Sequence, residues 1–146
     1  MYKNILLAFD GTAEGRNALK EGADLAEKCG AVTQVLAVVR PPTNIAFPEG
    51  IYPVEGITAE QNQARDLVKE GVELLRQRGL EAHGHLGFGE PADQIRRMVQ
   101  EVRPDLVVVG HRRRGPLERW WQGSLGQSLL DRIDCSLLIA VLPDQD

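Results

Sequence analysis

The residues best placed for chemistry follow two apolar runs. Asp10 comes after Ile5–Phe9, and Gly110 comes after Leu106–Val109. Beyond Gly110 lie Arg112, Arg113, Arg114, Gly115 and Arg119, and then Gly123-Ser124 opens a segment in which Leu125, Leu129 and Leu130 recur at helical spacing. A strand that feeds a glycine-bearing, arginine-rich connection into a helix start suits an anion. The first N–H groups of a helix lack intrahelical acceptors, and the helix dipole adds positive charge at the same place. The chemistry on offer is recognition of phosphate or carboxylate. A solvated loop, or a patch that meets an acidic partner protein, fits the Arg112–Arg119 stretch equally well. Asp10 likewise reads either as a ligand contact or as a cap on the backbone amides that follow it.

Signatures of turnover are missing. No glycine is followed by Lys-Ser or Lys-Thr, and no Gly-x-Gly-x-x-Gly follows the first apolar run. There is no nucleophile elbow, no paired carboxylate and no Cys/His constellation. The pattern therefore points to binding, with at most slow hydrolysis. His83 and His85 share one face of a weak strand, Glu81–Leu86, without a third metal ligand nearby. They read as side chains on the solvated face of an edge strand. Trp120-Trp121 lie in the connection, where packing on the loop's own helix and stacking on a base are both open.

The positioning elements follow from periodicity. Ile5–Phe9, Val32–Val39, Leu106–Val109 and Ser136–Leu142 are continuous apolar or β-rich runs, as expected of strands buried on both faces. Thr12 offers a cap for a helix carrying Ala18, Gly22, Leu25, Ala26 and Cys29 on one face, with Gly30 as its stop. Thr58-Ala-Glu-Gln61 has the capping-box pattern, followed by Ala64, Leu67, Val68, Gly71, Val72 and Leu75. Gly89-Glu90-Pro91 starts a third helix, whose stripe is Ile95, Met98, Val99 and Val102 and whose end is set by Pro104. The stretch from Pro41 to about Ile57 is long for a connection and reads as mobile or as a lid. Strands alternating with helices in this way predict one α/β domain over 1–146, a parallel sheet covered by helices on both faces. In such sheets ligands bind outside the carboxyl ends of the strands, where strand order reverses.

Composition narrows the partners. A net charge of −4 argues against general nucleic-acid binding, so the local arginine cluster runs against the background sign. No run approaches the ~18 apolar residues of a membrane span, and the start MYKNILLAFDG lacks the pattern of a signal peptide. Cys29 and Cys135 are far apart and in no metal-like spacing, which suits reduced thiols in the cytoplasm.

Taken in order, ILLAFDGT, Gly89-Glu90-Pro91, DLVVVG, the spacing from Gly110 to Gly123-Ser124 and the closing CSLLIAV resemble the universal stress protein family across essentially the whole chain. The resemblance implies a five-stranded parallel sheet of order 3-2-1-4-5, of the adenine nucleotide alpha hydrolase-like kind. It also implies a cytoplasmic homodimer joined through the last strand, about Ser136–Leu142. One branch of the family binds ATP through a Gly-x2-Gly-x9-Gly-Ser/Thr loop, and another lacks the loop and does not.

Carried over by position, Asp10 matches the aspartate that approaches the nucleotide, and Ala8 lines the adenosine pocket. Val38 meets adenine through its backbone, and Gly110, Gly123, Ser124 and Leu125 belong to the phosphate loop. The expected ligand is ATP or another adenine nucleotide such as AMP, with Mg2+ as an accompanying ion. The chain departs from the motif at its second glycine, where Arg113 stands and a glycine follows only at Gly115. A left-handed backbone would cost a non-glycine about 1–2 kcal/mol there. A charge-assisted bond from Arg112 or Arg113 to phosphate returns about 1.5–3 kcal/mol, so the two effects are of one order. The alternative expectation is a nucleotide-free dimeric module whose arginine loop binds a partner protein.

Overall fold

The computed structural model describes residues 1–10, 15–39, 54–112 and 133–142. Among these described residues eight elements follow one another: β1 (Asn4–Asp10), α1 (Gly15–Cys29), β2 (Val32–Val39), α2 (Val54–Gln77), β3 (Ala82–Phe88), α3 (Pro91–Val102), β4 (Leu106–Arg112) and β5 (Ser136–Leu142). The strands form one sheet in the order β3-β2-β1-β4-β5, and every pairing is parallel. The order and the parallel sense are those expected from the sequence.

Each central strand reads as a continuous apolar run because both of its faces are covered. On one face Ile5, Leu7, Phe9, Val35, Ala37 and Val108 pack with Leu19 and Ala23 of α1 and with Leu67, Val68 and Leu75 of α2. On the other, Leu6, Ala8, Leu36, Val38, Val107 and Val109 pack with Ala92, Ile95 and Met98 of α3. Close packing around α1 needs glycine at two contacts: a Cβ on Gly22 would stand 2.7 Å from a Leu7 methyl, and one on Gly71 2.6 Å from a Leu19 methyl.

Helix ends follow local chemistry with two exceptions. Gly30 closes α1 at φ +63° and Gly79 follows α2 at φ +83°, the left-handed region that glycine enters at little cost. Pro91 opens α3 as expected, but Glu90 makes no side-chain cap bond. The cap at the other end of α3 is Arg103, left-handed at φ 48°, with its N–H donating to the Val99 carbonyl at 2.9 Å.

The expected start of α2 needs correction. The helix begins at Val54, so Thr58 lies inside it rather than at its cap. In sequence, Val54 and Ile57 continue the apolar spacing of Ala64, Val68, Gly71 and Leu75, so the helical pattern starts before the capping signal at Thr58. Strand β3 also runs Ala82–Phe88 instead of Glu81–Leu86. Thr12, the stretch from Pro41 as far as residue 53, the tryptophan pair and the helix expected from Ser124 lie outside the described residues.

Candidate functional site

With five parallel strands, all carboxyl ends lie along one edge of the sheet. From β1 the chain builds outward through β2 to β3, and α3 then carries it back to β4 on the far side of β1. The reversal therefore falls between β1 and β4. Their ladder runs from Ile5 with Leu106 to Ala8 with Val109, and there it stops. Past that rung, Phe9 and Asp10 continue with Ala37 and Val38 of β2, while Gly110, His111 and Arg112 continue with Ala140, Val141 and Leu142 of β5. The two central strands thus part at their carboxyl ends, and their facing backbone edges no longer serve each other. This is the topological switch point, where sheets of this kind bind their ligands.

The candidate residues fall around this split. Ala8 and Val38 are buried in the cluster that includes Val109 and Ala92. Asp10 ends β1 opposite Val38. Gly110, half-buried, is the first residue of β4 beyond the last shared rung, and Arg112 is the last residue of the strand. Arg113, Gly115, Gly123, Ser124 and Leu125 lie outside the described residues.

Sequence reasoning passed over the part that α3 plays. Its first turn packs Ala92 into the cluster of Ala8 and Val38, so the helix start overlies the carboxyl end of β2. Gly89 makes the turn possible: at φ +134° it donates its N–H to the Val39 carbonyl at 3.0 Å. Gly87 leaves room for Gln94, whose Cβ and Oε1 lie 3.1 Å from where a Gly87 Cβ would stand. The legible signal was Gly87-Phe-Gly89-Glu-Pro91, two glycines ahead of a helix-starting proline.

The remaining polar groups do other work. At the amino ends of the strands, the Asp105 carboxylate accepts from the backbone N–H of Lys3 at 2.8 Å and of Asn4 at 3.1 Å. Burial pushes the Asp105 carboxyl up, but these amides, its own N–H and the N-terminal amine outweigh burial and hold it below the usual value. Cys135, half-buried near Asp105 and Asp134, has its thiol pushed up by burial and by both carboxylates, so it is a poor thiolate. Arg78 joins the end of α2 to Asp24 at 2.6 Å and Glu27 at 3.0 Å on α1.

β3 is an edge strand, as expected, but its two histidines differ. His83 is exposed beside Glu81 at 3.0 Å. His85 is half-buried with Nε2 at 2.8 Å from the Gln34 Oε1, and burial, then His83, lowers its pKa against an opposing pull from Glu101. Among the described residues no three His, Cys, Asp or Glu side chains are placed to hold a metal. None of the described helices is long and apolar enough to cross a membrane.

Comparison with known proteins adds to this geometry. The model of the universal stress protein family matches residues 1–140. Universal stress protein YxiE of Bacillus subtilis is 28% identical over 149 residues, covering 95% of this chain and 99% of its own. Two solved structures share the fold. The universal stress protein from Archaeoglobus fulgidus, in complex with dAMP, superposes with a TM-score of 0.62 at 20% identity, over 94% of this chain and 97% of the other. A family member from Arabidopsis thaliana with AMP bound gives 0.65 at 16% identity, over 97% and 92%.

Proposed function

The chain belongs to the universal stress protein family, and from that premise we propose that it binds an adenine nucleotide where β1 and β4 part. The observation that carries this reading is the end of the β1–β4 ladder at Ala8 and Val109, with Asp10 and Gly110 on either side of the opening. Solved neighbours hold AMP and dAMP, which supports an adenine nucleotide as the ligand class. In this reading Ala8 lines the adenosine pocket, Val38 meets adenine through its backbone, and Asp10 approaches the nucleotide. The phosphates meet Gly110, Arg112, Arg113 and Gly115, with the amides of Gly123 and Leu125 and the Ser124 hydroxyl. ATP with Mg2+ is the fullest ligand this set would take. The role is a stress-response module that works by binding, in the cytoplasm, as a homodimer joined edge to edge through β5.

The test begins with what the purified protein carries. We expect a raised 260/280 nm absorbance ratio and an adenine nucleotide identified by mass after denaturation. Titration of stripped protein with AMP and with ATP–Mg2+ by calorimetry gives the affinities. A Gly123→Val, Ser124→Val double variant is expected to lose binding and keep its far-UV spectrum. Unchanged affinity in that variant would remove the loop from the site, and no binding in the parent protein would leave the Arg112–Arg119 loop as a protein-contact surface.

A further inference from the structure

The second feature lies on the outer side of β3, two strands away from β1, and is independent of the nucleotide reading. Strand β3 is an outer strand, and its backbone alternates. Glu81 accepts from the Thr33 N–H and Gly89 donates to the Val39 carbonyl, so the odd-numbered residues between them bond to β2. The even-numbered residues, Ala82, Gly84, Leu86 and Phe88, therefore turn their N–H and C=O groups outward. One outward group is already occupied: the Ala82 carbonyl accepts from the Arg76 guanidinium at 3.0 Å. Gly84 and Leu86 have no such partner among the described residues, and Gly84 is exposed.

Beside this edge runs a cleft of about 880 Å³ between α2 and β3. Val68, Val72 and Leu86 supply its apolar lining. Gly84 is the reason α2 can lie so close, since a Cβ there would collide with Val68. The rim carries Arg65, Lys69 and Arg76 against one carboxylate, Glu73, which itself lies within reach of the Gln77 amide. This is local positive charge on a chain whose net charge is −4.

We propose that the outer edge of β3 and the α2 cleft receive an extended, acidic segment of a partner protein as a sixth strand. Its main chain would bond to Gly84 and Leu86, alternate apolar side chains would seat on Val68 and Val72, and carboxylates would meet Arg65 and Lys69. Arg76, by capping Ala82, sets where the added strand starts. Exposed Phe88 gives it an apolar contact at the other end. A second copy of this chain is the weaker occupant, because a two-fold pairing of β3 with β3 would set the two cationic α2 rims side by side.

The probe is a synthetic fluorescein-labelled peptide alternating valine with glutamate, and its control alternates valine with lysine. We expect the glutamate peptide to raise anisotropy saturably and to slow amide exchange at Gly84 and Leu86, followed by NMR. The lysine peptide should do neither. An Arg65→Glu, Lys69→Glu variant, changed only at exposed helix positions, is expected to lose about tenfold or more in affinity for the glutamate peptide. Three results would each overturn the proposal: no binding; binding without slowed exchange at Gly84 and Leu86, which is plain polyanion attraction; or slow, concentration-dependent exchange at those amides in the free protein, which would mean a second copy covers the edge.

Discussion

Ala8 and Val109 form the last rung of the ladder between β1 and β4, and the two strands part immediately beyond them. Ala8 is a small, buried residue beside the point where the strands part. Ala8→Leu would overfill the cluster at a cost of about 1–3 kcal/mol. If adenosine sits against Ala8, AMP affinity measured by calorimetry is expected to fall at least roughly tenfold, equivalent to about 1.4 kcal/mol. A folded variant with unchanged affinity would take Ala8 out of the site.

In the proposed site, Arg112 and Arg113 are the residues that would separate phosphate recognition from adenosine recognition. Replacing both by alanine removes charge-assisted bonds worth about 1.5–3 kcal/mol each where they form. ATP affinity is then expected to drop by more than tenfold, while AMP, with fewer phosphates to reach them, is expected to lose less. Equal losses for both ligands would place the arginines elsewhere.

Asp105 fastens the starts of β1 and β4, and it does so as an anion. Its carboxyl is held below the usual range in the fold, so its contribution is complete above the unfolded-state pKa of about 3.9 and fades as pH falls through the lower folded value. Asp105→Asn is expected to lower stability at neutral pH by about 1–2 kcal/mol, and to lose less than the parent does on acidification. Urea unfolding across acidic pH reads both effects.

His85 titrates in the opposite chemical sense but with the same sign in pH. Burial beside Gln34 lowers its pKa, so the unfolded chain binds the proton more readily. The stability due to neutral His85 is present above about pH 6.5 and is lost as pH falls through the folded value. Unfolding of His85→Gln is expected to show a flatter pH dependence over that window than the parent. His83, Glu101 and Gln34 all lie around this ring, so they stay unchanged in the comparison.

Arg103 is the described non-glycine residue at positive φ, and it stands directly before Pro104, which adds its own restriction. Arg103→Gly relieves a left-handed cost of about 1–2 kcal/mol against about 0.4–1 kcal/mol of extra unfolded-chain entropy. Thermal unfolding is expected to move upward by an amount corresponding to about 0.5–1 kcal/mol. The Asn4 side chain bonds to the Val102 carbonyl at 2.8 Å, a contact the change leaves intact.

Much of the architecture was legible because burial on both faces leaves a strong mark. Val32–Val39, covered on both faces, was bounded to the residue, and the stripe from Ala64 to Leu75 marked the docked side of α2; Ser136–Leu142 was bounded as well by its apolar composition, although as an outer strand it leaves Leu138 exposed. Where the mark is weak, legibility failed. Thr58 carries a capping signal that competes with two more apolar positions upstream at helical spacing, and the helix starts ahead of it at Val54. Arg103 closes a helix without glycine because Pro104 and the Asn4–Asp105 bonds hold the chain's return to β4 in place. His85 looks like His83 in sequence, and only the tertiary structure, which sets its ring against Gln34 more than fifty positions away and near Glu101 of α3, tells the two apart.

By itself, the sequence determined the alternation of elements, the family and the types of residue available for an anion, because periodicity and local turn chemistry are properties of neighbouring positions. The tertiary structure alone decided where Ala8 and Val109 stop sharing a ladder, which of two like histidines is shielded, and which edge of β3 keeps its amides outward. Those outcomes depend on strand register and on helix approach, and both arise from contacts between residues that the chain itself holds far apart.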